Sequence, residues 1–272
     1  MGLVTVLGLA KRGYFIPHRY AAHTAPSDES TAYTALGQIF EAARPQFKNV
    51  LKVIDSFAEA LEGLGDEPPP APRWGQDWFP RLDAACAYAL TRHHAPRRVI
   101  EVGSGHSTRF LARAIRDGGL DTSVIAIDPA PRATLEALPI TLLRKPLQEI
   151  PLDTFKPLRE GDFLFIDSSH VLMPGTDVDI LLNQVLPELP AGVFIHIHDV
   201  FLPRGYPASW SWRGYNEQLG VAALLQGGAY ELVFASAFVR TAMASDLAGT
   251  VAARLPMPDG AFETSLWLRK LG

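Results

Sequence analysis

Across residues 32–65 apolar side chains recur at three-to-four spacing: Leu36, Phe40, Ala43, Phe47, Val50, Ile54, Phe57 and Leu61. That period places them on one face of an amphipathic helix. Pro45 interrupts it, so the helix is expected to kink or split there. Residues 65–75, GDEPPPAPRWG, have no period and read as a proline-rich linker.

From about residue 78 the pattern becomes an alternation of helices and short apolar runs. RLDAACAYALTRHH and STRFLARAIRDGG have helical character, the second ending on glycine. RVIEV (98–102), SVIAID (123–128), PITLLR (139–144), DFLFID (162–167) and GVFIHIHD (192–199) read as buried strands. YELVFASAF and TSLWLRK read as a late edge hairpin. Apolar strands alternating with helices predict a parallel sheet covered on both faces, with ligands bound beyond the carboxyl ends of the strands. Two regions result: an N-terminal helical extension with its linker (1–75) and an α/β domain (76–272).

Composition narrows the class only a little. The chain has 272 residues and a formal net charge of −4. Such a charge gives no case for nucleic acid or an anionic membrane as partner. A single cysteine, Cys86, excludes an internal disulfide or a cysteine-based zinc site. The first ten residues are apolar, but Lys11 and Arg12 follow them, the wrong order for a signal peptide, and Val6 breaks a myristoylation pattern. A cytoplasmic protein is expected, with the N-terminal helices as a homodimer surface.

The chemistry-bearing stretches follow the strands. VIEVGSGHST places Gly103 and Gly105 where a strand turns into a helix, beside free backbone amides. A dinucleotide motif would want a third glycine where Thr108 stands. Asp128 ends the next strand, where an acid can accept from ribose hydroxyls or simply cap a helix. Asp167 ends the fourth predicted strand, and His198 with Asp199 end the fifth. His196 and His198 alternate onto the same strand face, His196 reading as a core histidine. The H-x-H-x-D-H hydrolase pattern fails at Val200 and Phe201.

Taken in order, E-x-G-x-G after strand one, the acid after strand two and FLFID at strand four resemble a class I methyltransferase using S-adenosylmethionine. RGYFIPHRYA, HIHDVFLPRGYP, RGYNEQ and SLWLRK are similar to a bacterial small-molecule subgroup of that family. The likeness covers roughly residues 80–270. It implies a doubly wound, seven-stranded, mostly parallel sheet of the class I methyltransferase type. It also implies cofactor contacts from Glu101 (near the methionyl end), Gly103, Ser104, Gly105, Ser107, Asp128 (ribose) and Asp167. Ser107 stands where many members have glycine. Residues near Gln148 and Glu149 would border the adenine.

Two mechanisms are compatible with that likeness. In one, His170 or His198 removes a proton from the acceptor, oriented by Asp199 or Asp167. In the other, Asp167, His198 and Asp199 hold Mg²⁺ or another divalent metal. His170, His198 and Asp199 are the candidate catalytic residues, and a hydroxyl oxygen is the expected methyl acceptor. Rival readings are a metal-dependent hydrolase built on His196, His198 and Asp199, and a catalytically silent nucleoside-binding scaffold. The aromatic run YPASWSWRGYNEQLG reads as a lid or acceptor pocket, with Arg12, Arg19 and Arg213 available to an acidic or polyhydroxyl acceptor.

Overall fold

The computed structural model describes residues 2–24, 32–65 and 67–272. Parts of the 1–75 region, residues 1, 25–31 and 66, therefore lie outside the described residues. Seven strands form one sheet: β1 (Arg98–Val102), β2 (Ser123–Ile127), β3 (Thr141–Leu143), β4 (Phe163–Ile166), β5 (Phe194–Ile197), β6 (Tyr230–Ala235) and β7 (Leu266–Lys270). Their order is β3-β2-β1-β4-β5-β7-β6, with β1 to β5 parallel and β7 antiparallel to both neighbours. Reversal of the winding at β1 and β4 makes this a doubly wound sheet, with a crevice beyond the carboxyl ends of those strands.

The strands are shorter than their apolar runs. β5 stops at Ile197 because Asp199 has a left-handed backbone (φ 57°), which no strand accommodates. The two late strands pair antiparallel but do not form a hairpin. Residues 236–265 lie between them and carry the helices Ser236–Ala242, Ala244–Ala248 and Val251–Arg254. That length lets β7 insert between β5 and β6.

The N-terminal helix splits as Pro45 requires, into Thr34–Ala42 and Arg44–Asp55, with Pro45 in the first turn of the second helix. Proline is tolerated there because those amides have no intrahelical partner. Phe40, Phe47 and Ile54 are fully buried. Phe40 packs on Phe238, and Phe47 on Phe234 and Phe238. The apolar stripe of these helices thus packs within the chain. Among the described residues no helix is long and apolar enough to cross a membrane.

Register sets the functional edge. Ile127, Val102, Ile166 and Ile197 stand in one row across β2, β1, β4 and β5. The next residue of each strand, Asp128, Gly103, Asp167 and His198, therefore stands in the following row. Backbone hydrogen bonds hold that row: Gly103 N donates to Ile127 O, Asp167 N to Val102 O and His198 N to Ile166 O. Four stretches far apart in sequence are aligned by the sheet alone.

Candidate active site

A cavity of about 590 Å³ opens beyond this row. It is of ligand-pocket size. One end is lined by Gly103, Ser104, Ile127, Asp128, Pro129 and Leu147, the other by Asp167, His170, His198, Asp199, Trp210 and Tyr215.

At the first end the turn after β1 is dictated by crowding. Gly103 has φ 81°, and a Cβ there would lie 1.8 Å from the backbone oxygen of Asp167. Only glycine fits. A Cβ at Gly105 would meet nothing, so the protein itself does not demand glycine there. Asp128 fastens the loop: its Oδ2 accepts from Ser104 N at 2.7 Å and Ser104 Oγ at 3.1 Å, and its Oδ1 accepts from Ala130 N at 2.7 Å. Each carboxylate oxygen has two lone pairs, so Asp128 retains capacity for a ligand hydroxyl.

Glu101 and Ser107 are not brought to the cavity wall. Glu101 is fully buried and accepts from Ser107 Oγ and Thr108 Oγ1, both at 2.6 Å. Burial pushes its carboxyl up to about 8, although the two hydroxyls oppose the shift. Its place is behind the loop, joining β1 to the first turn of the helix His106–Gly118. The reason is geometric: alternation along β1 turns Glu101 away from the side its neighbours line. Gln148 does line the cavity, whereas Glu149 does not.

The second end is assembled from buried charges. His170 Nε2 lies 3.3 Å from Asp167 Oδ1 and 3.4 Å from Asp199 Oδ2, while its Nδ1 lies 2.8 Å from Glu217 Oε2. His198 Nδ1 is 3.5 Å from both Asp167 Oδ1 and Asp199 Oδ1, and its Nε2 is 3.2 Å from Asp83 Oδ2. Each ring is thus backed by one buried carboxylate and faces the same two aspartates. Burial alone would lower both imidazoles. The carboxylates outweigh it, Asp199 first for His170 and Asp167 first for His198, and hold both well above the usual histidine range. Burial likewise pushes Asp167 up, but the charges and hydrogen bonds of His198 and His170 bring it below the ordinary carboxylate range. Glu217, with burial as the main cause, is raised.

Two of these residues have strained backbones. Three described non-glycine residues have positive φ, and His170 (59°) and Asp199 (57°) are two of them. Such conformations persist where the surroundings enforce them, and they concentrate at functional sites. His170 O accepts from the backbone N of Asn216 and of Glu217, which holds the turn against the helix Glu217–Gln226.

His196 does not join this cluster. Its ring stacks on Phe165 at 3.6 Å and meets Ser265 Oγ through Nε2 at 2.8 Å. Burial holds it well below the usual range. It is a core residue, so the His196–His198–Asp199 hydrolase site does not form. Nor does the Asp167, His198 and Asp199 donor set fit a divalent cation in this arrangement. Imidazole nitrogens already bridge the two carboxylates, and a cation would have to displace a ring. Among the described residues no group of three or more His, Cys, Asp or Glu could hold a metal.

Asp83 has no role in the sequence patterns, and Glu217 stands there only as part of the aromatic run. Asp83 is fully buried in the first turn of the helix Arg81–His94. Besides His198 it accepts from Thr264 N and Ser265 N, both at 2.9 Å. The available signal was an acid in an otherwise apolar helix face. Ser168, also unassigned, lines the cavity with a buried Oγ that has no protein partner.

These residues fit a nucleoside carrying a cationic group. Ile127, Pro129 and Leu147 offer an apolar wall, Asp128 an acceptor for hydroxyls, Ser168 an unused hydroxyl, and Asp167 a negative charge. Residues 100–200 match a family model described as a methyltransferase domain. No curated protein matches the chain. Among solved structures, a methyltransferase of Podospora anserina with bound S-adenosylhomocysteine is 18% identical, with a TM-score of 0.46, covering 96% of this chain and 100% of that one. An O-methyltransferase of Streptomyces achromogenes involved in tomaymycin synthesis, solved with S-adenosylmethionine, is 15% identical, with a TM-score of 0.42, covering 82% and 90%. The protein cmcI, solved with Mg and S-adenosylmethionine, is 16% identical, with a TM-score of 0.37, covering 77% and 88%. Likenesses this distant carry no conclusions for individual residues. The match of residues 100–200 to a methyltransferase domain falls on the stretch from β1 to just past β5, which builds the crevice at the β1–β4 reversal.

Proposed function

We propose that the chain methylates a hydroxyl oxygen of a small molecule, with His170 as the proton acceptor. The observation that carries this reading is the pair of buried imidazoles facing Asp167 and Asp199 at the end of the cavity away from Asp128. Gly103, Ser104 and Asp128 would hold the cofactor, with Asp128 on its ribose. When bound, S-adenosylmethionine supplies the methyl group: the acceptor oxygen's lone pair forms the new C–O bond as the sulfur–methyl bond breaks toward sulfur, leaving S-adenosylhomocysteine.

The protein's own contribution is positioning and proton removal. His170 is the better placed of the two rings, because it also packs against Tyr215 of the aromatic wall, with ring centroids 4.6 Å apart. Glu217 holds its Nδ1 and Asp199 its Nε2. These carboxylates hold the imidazole well above its usual range, which makes it a stronger base once neutral. They also favour its protonated form. A cationic ligand in the cavity opposes that effect and favours the neutral ring. His198, backed by Asp83, neutralises Asp167 from the other side.

Calorimetry with S-adenosylhomocysteine tests the cofactor assignment, and no binding at millimolar concentration would sink it. A strong chelator separates the two mechanisms. Turnover should persist after chelation, whereas loss restored by Mg²⁺ would favour the metal route.

A further inference from the structure

We propose that the acceptor is a planar aromatic ring bearing an acidic group as well as the reacting hydroxyl, and that Arg213 binds the acid. This deepens the methyl-transfer reading and rests on it.

Arg213 closes the helical turn Ala208–Arg213 and lines the cavity. Its guanidinium lies 4.0 Å from the Trp210 ring centroid and 5.3 Å from that of Tyr215. A stacked guanidinium uses its faces, leaving its in-plane N–H donors free for a carboxylate. Among the described residues, Nη1 alone finds an acceptor, the Tyr215 hydroxyl at 3.3 Å, and the buried Nε has no partner. Among the described residues no carboxylate pairs with Arg213, whereas Arg81 and Arg269 each have one and Arg113 has two. A buried donor on a cavity wall without a partner is rare and calls for one.

The frame around it selects a flat ring. Trp210 is fixed edge-on against Phe201, Phe262 and Tyr215, with centroids 5.1–5.9 Å apart. Trp210, Tyr215 and Phe262 all line the cavity. Rings held this way present aromatic surface without further ordering.

Tyr215 also supplies the spacing. Its hydroxyl meets Arg213 and its ring packs on His170. The acid-binding end and the proton-accepting end are therefore about one tyrosine side chain apart, so acid and hydroxyl belong on opposite sides of one ring. Charge sets the direction. Asp167 and Asp199 repel an anion from the floor, and Arg213 attracts it at the wall.

Binding of 3,4-dihydroxybenzoate and of its methyl ester, measured by calorimetry on the full chain saturated with S-adenosylhomocysteine, tests this. The acid should bind at least ~10-fold tighter than the ester, the scale of one charge-assisted contact. Arg213→Gln should weaken the acid by roughly 10- to 100-fold and leave the ester within about 3-fold, with Arg213→Lys between the two. Equal binding of acid and ester, binding of neither, or equal weakening of both by Arg213→Gln would overturn the proposal. Failure of S-adenosylhomocysteine to bind would instead overturn the methyl-transfer reading. Retained S-adenosylhomocysteine affinity in the variants shows that they fold.

Discussion

The two ends of the cavity are built on different principles. At the proposed cofactor end, one contiguous loop and one acid do the positioning, and the controlling quantity is backbone space. Gly103 passes so close to Asp167 that a side chain is impossible. At the proposed acceptor end, six ionisable side chains from four segments hold one another, and the controlling quantity is buried charge. His170 and Asp199 even adopt left-handed backbones that glycine would take more readily. The lesson is that the first end should fail by steric conflict and the second by unbalanced charge.

Substitutions can break that contrast at either end. The largest effect is expected for Gly103→Ala. Its Cβ would sit 1.8 Å from a backbone oxygen, so β1 and β4 must separate at the row that defines the site. We expect a loss of about 3 kcal/mol or more, read by thermal unfolding, together with loss of S-adenosylhomocysteine binding. Asp83→Ala should come next, at about 3–5 kcal/mol in denaturant unfolding, because it leaves His198 without its backing carboxylate. An unfolding midpoint equal to that of the unmodified protein would show that the pair is not a balanced unit.

His170→Gln separates chemistry from folding. Turnover should drop by roughly 10²- to 10⁴-fold while cofactor affinity stays unchanged. The sign of the pH dependence follows from the raised imidazole. Only its neutral form accepts a proton, so kcat/KM should climb as pH rises toward the raised value, and the variant's profile should be flat. Asp128→Ala should be milder, weakening S-adenosylhomocysteine by roughly 10- to 100-fold in calorimetry with less effect on stability.

The smallest effect is the pH response of stability. His170 and His198 are raised, so their contribution is complete below an unfolded value of about 6.5 and fades as pH rises through the folded values. Asp167 is depressed, so its contribution is present above about 3.9 and fades in acid. The cluster should therefore stabilise most between those limits. The alkaline decline should approach ~1.4 kcal/mol per pH unit for each ring and be shallower in His170→Gln. Activity and stability should thus move in opposite directions above neutral pH.

Much of the cofactor end was legible in advance. A strand, two glycines and an acid at the next strand end form a local pattern, and local patterns survive in a linear chain. Pro45 likewise announced the break between two helices. The placement of Glu101 was less accessible, because its oxygens are claimed by Ser107 and Thr108 once the helix turns back over β1. The late strand pair meets antiparallel at the sheet edge as its pattern predicts, but the helices between Ser236 and Arg254 replace the tight turn of a hairpin, a connection that strand pattern does not reveal.

What the sequence alone determined was the order of strands and helices, the glycine turn, and the chemistry-bearing residues at strand ends. Periodicity and turn chemistry are local, so the chain states them directly. Only the tertiary structure decided that His196 faces Ser265 in the core while His198 meets Asp83, and that Glu217 reaches His170. Those contacts span 47 to 115 positions. Nothing along the chain records them, because they exist only once the sheet brings its carboxyl edge into register and burial forces each charge to find a partner.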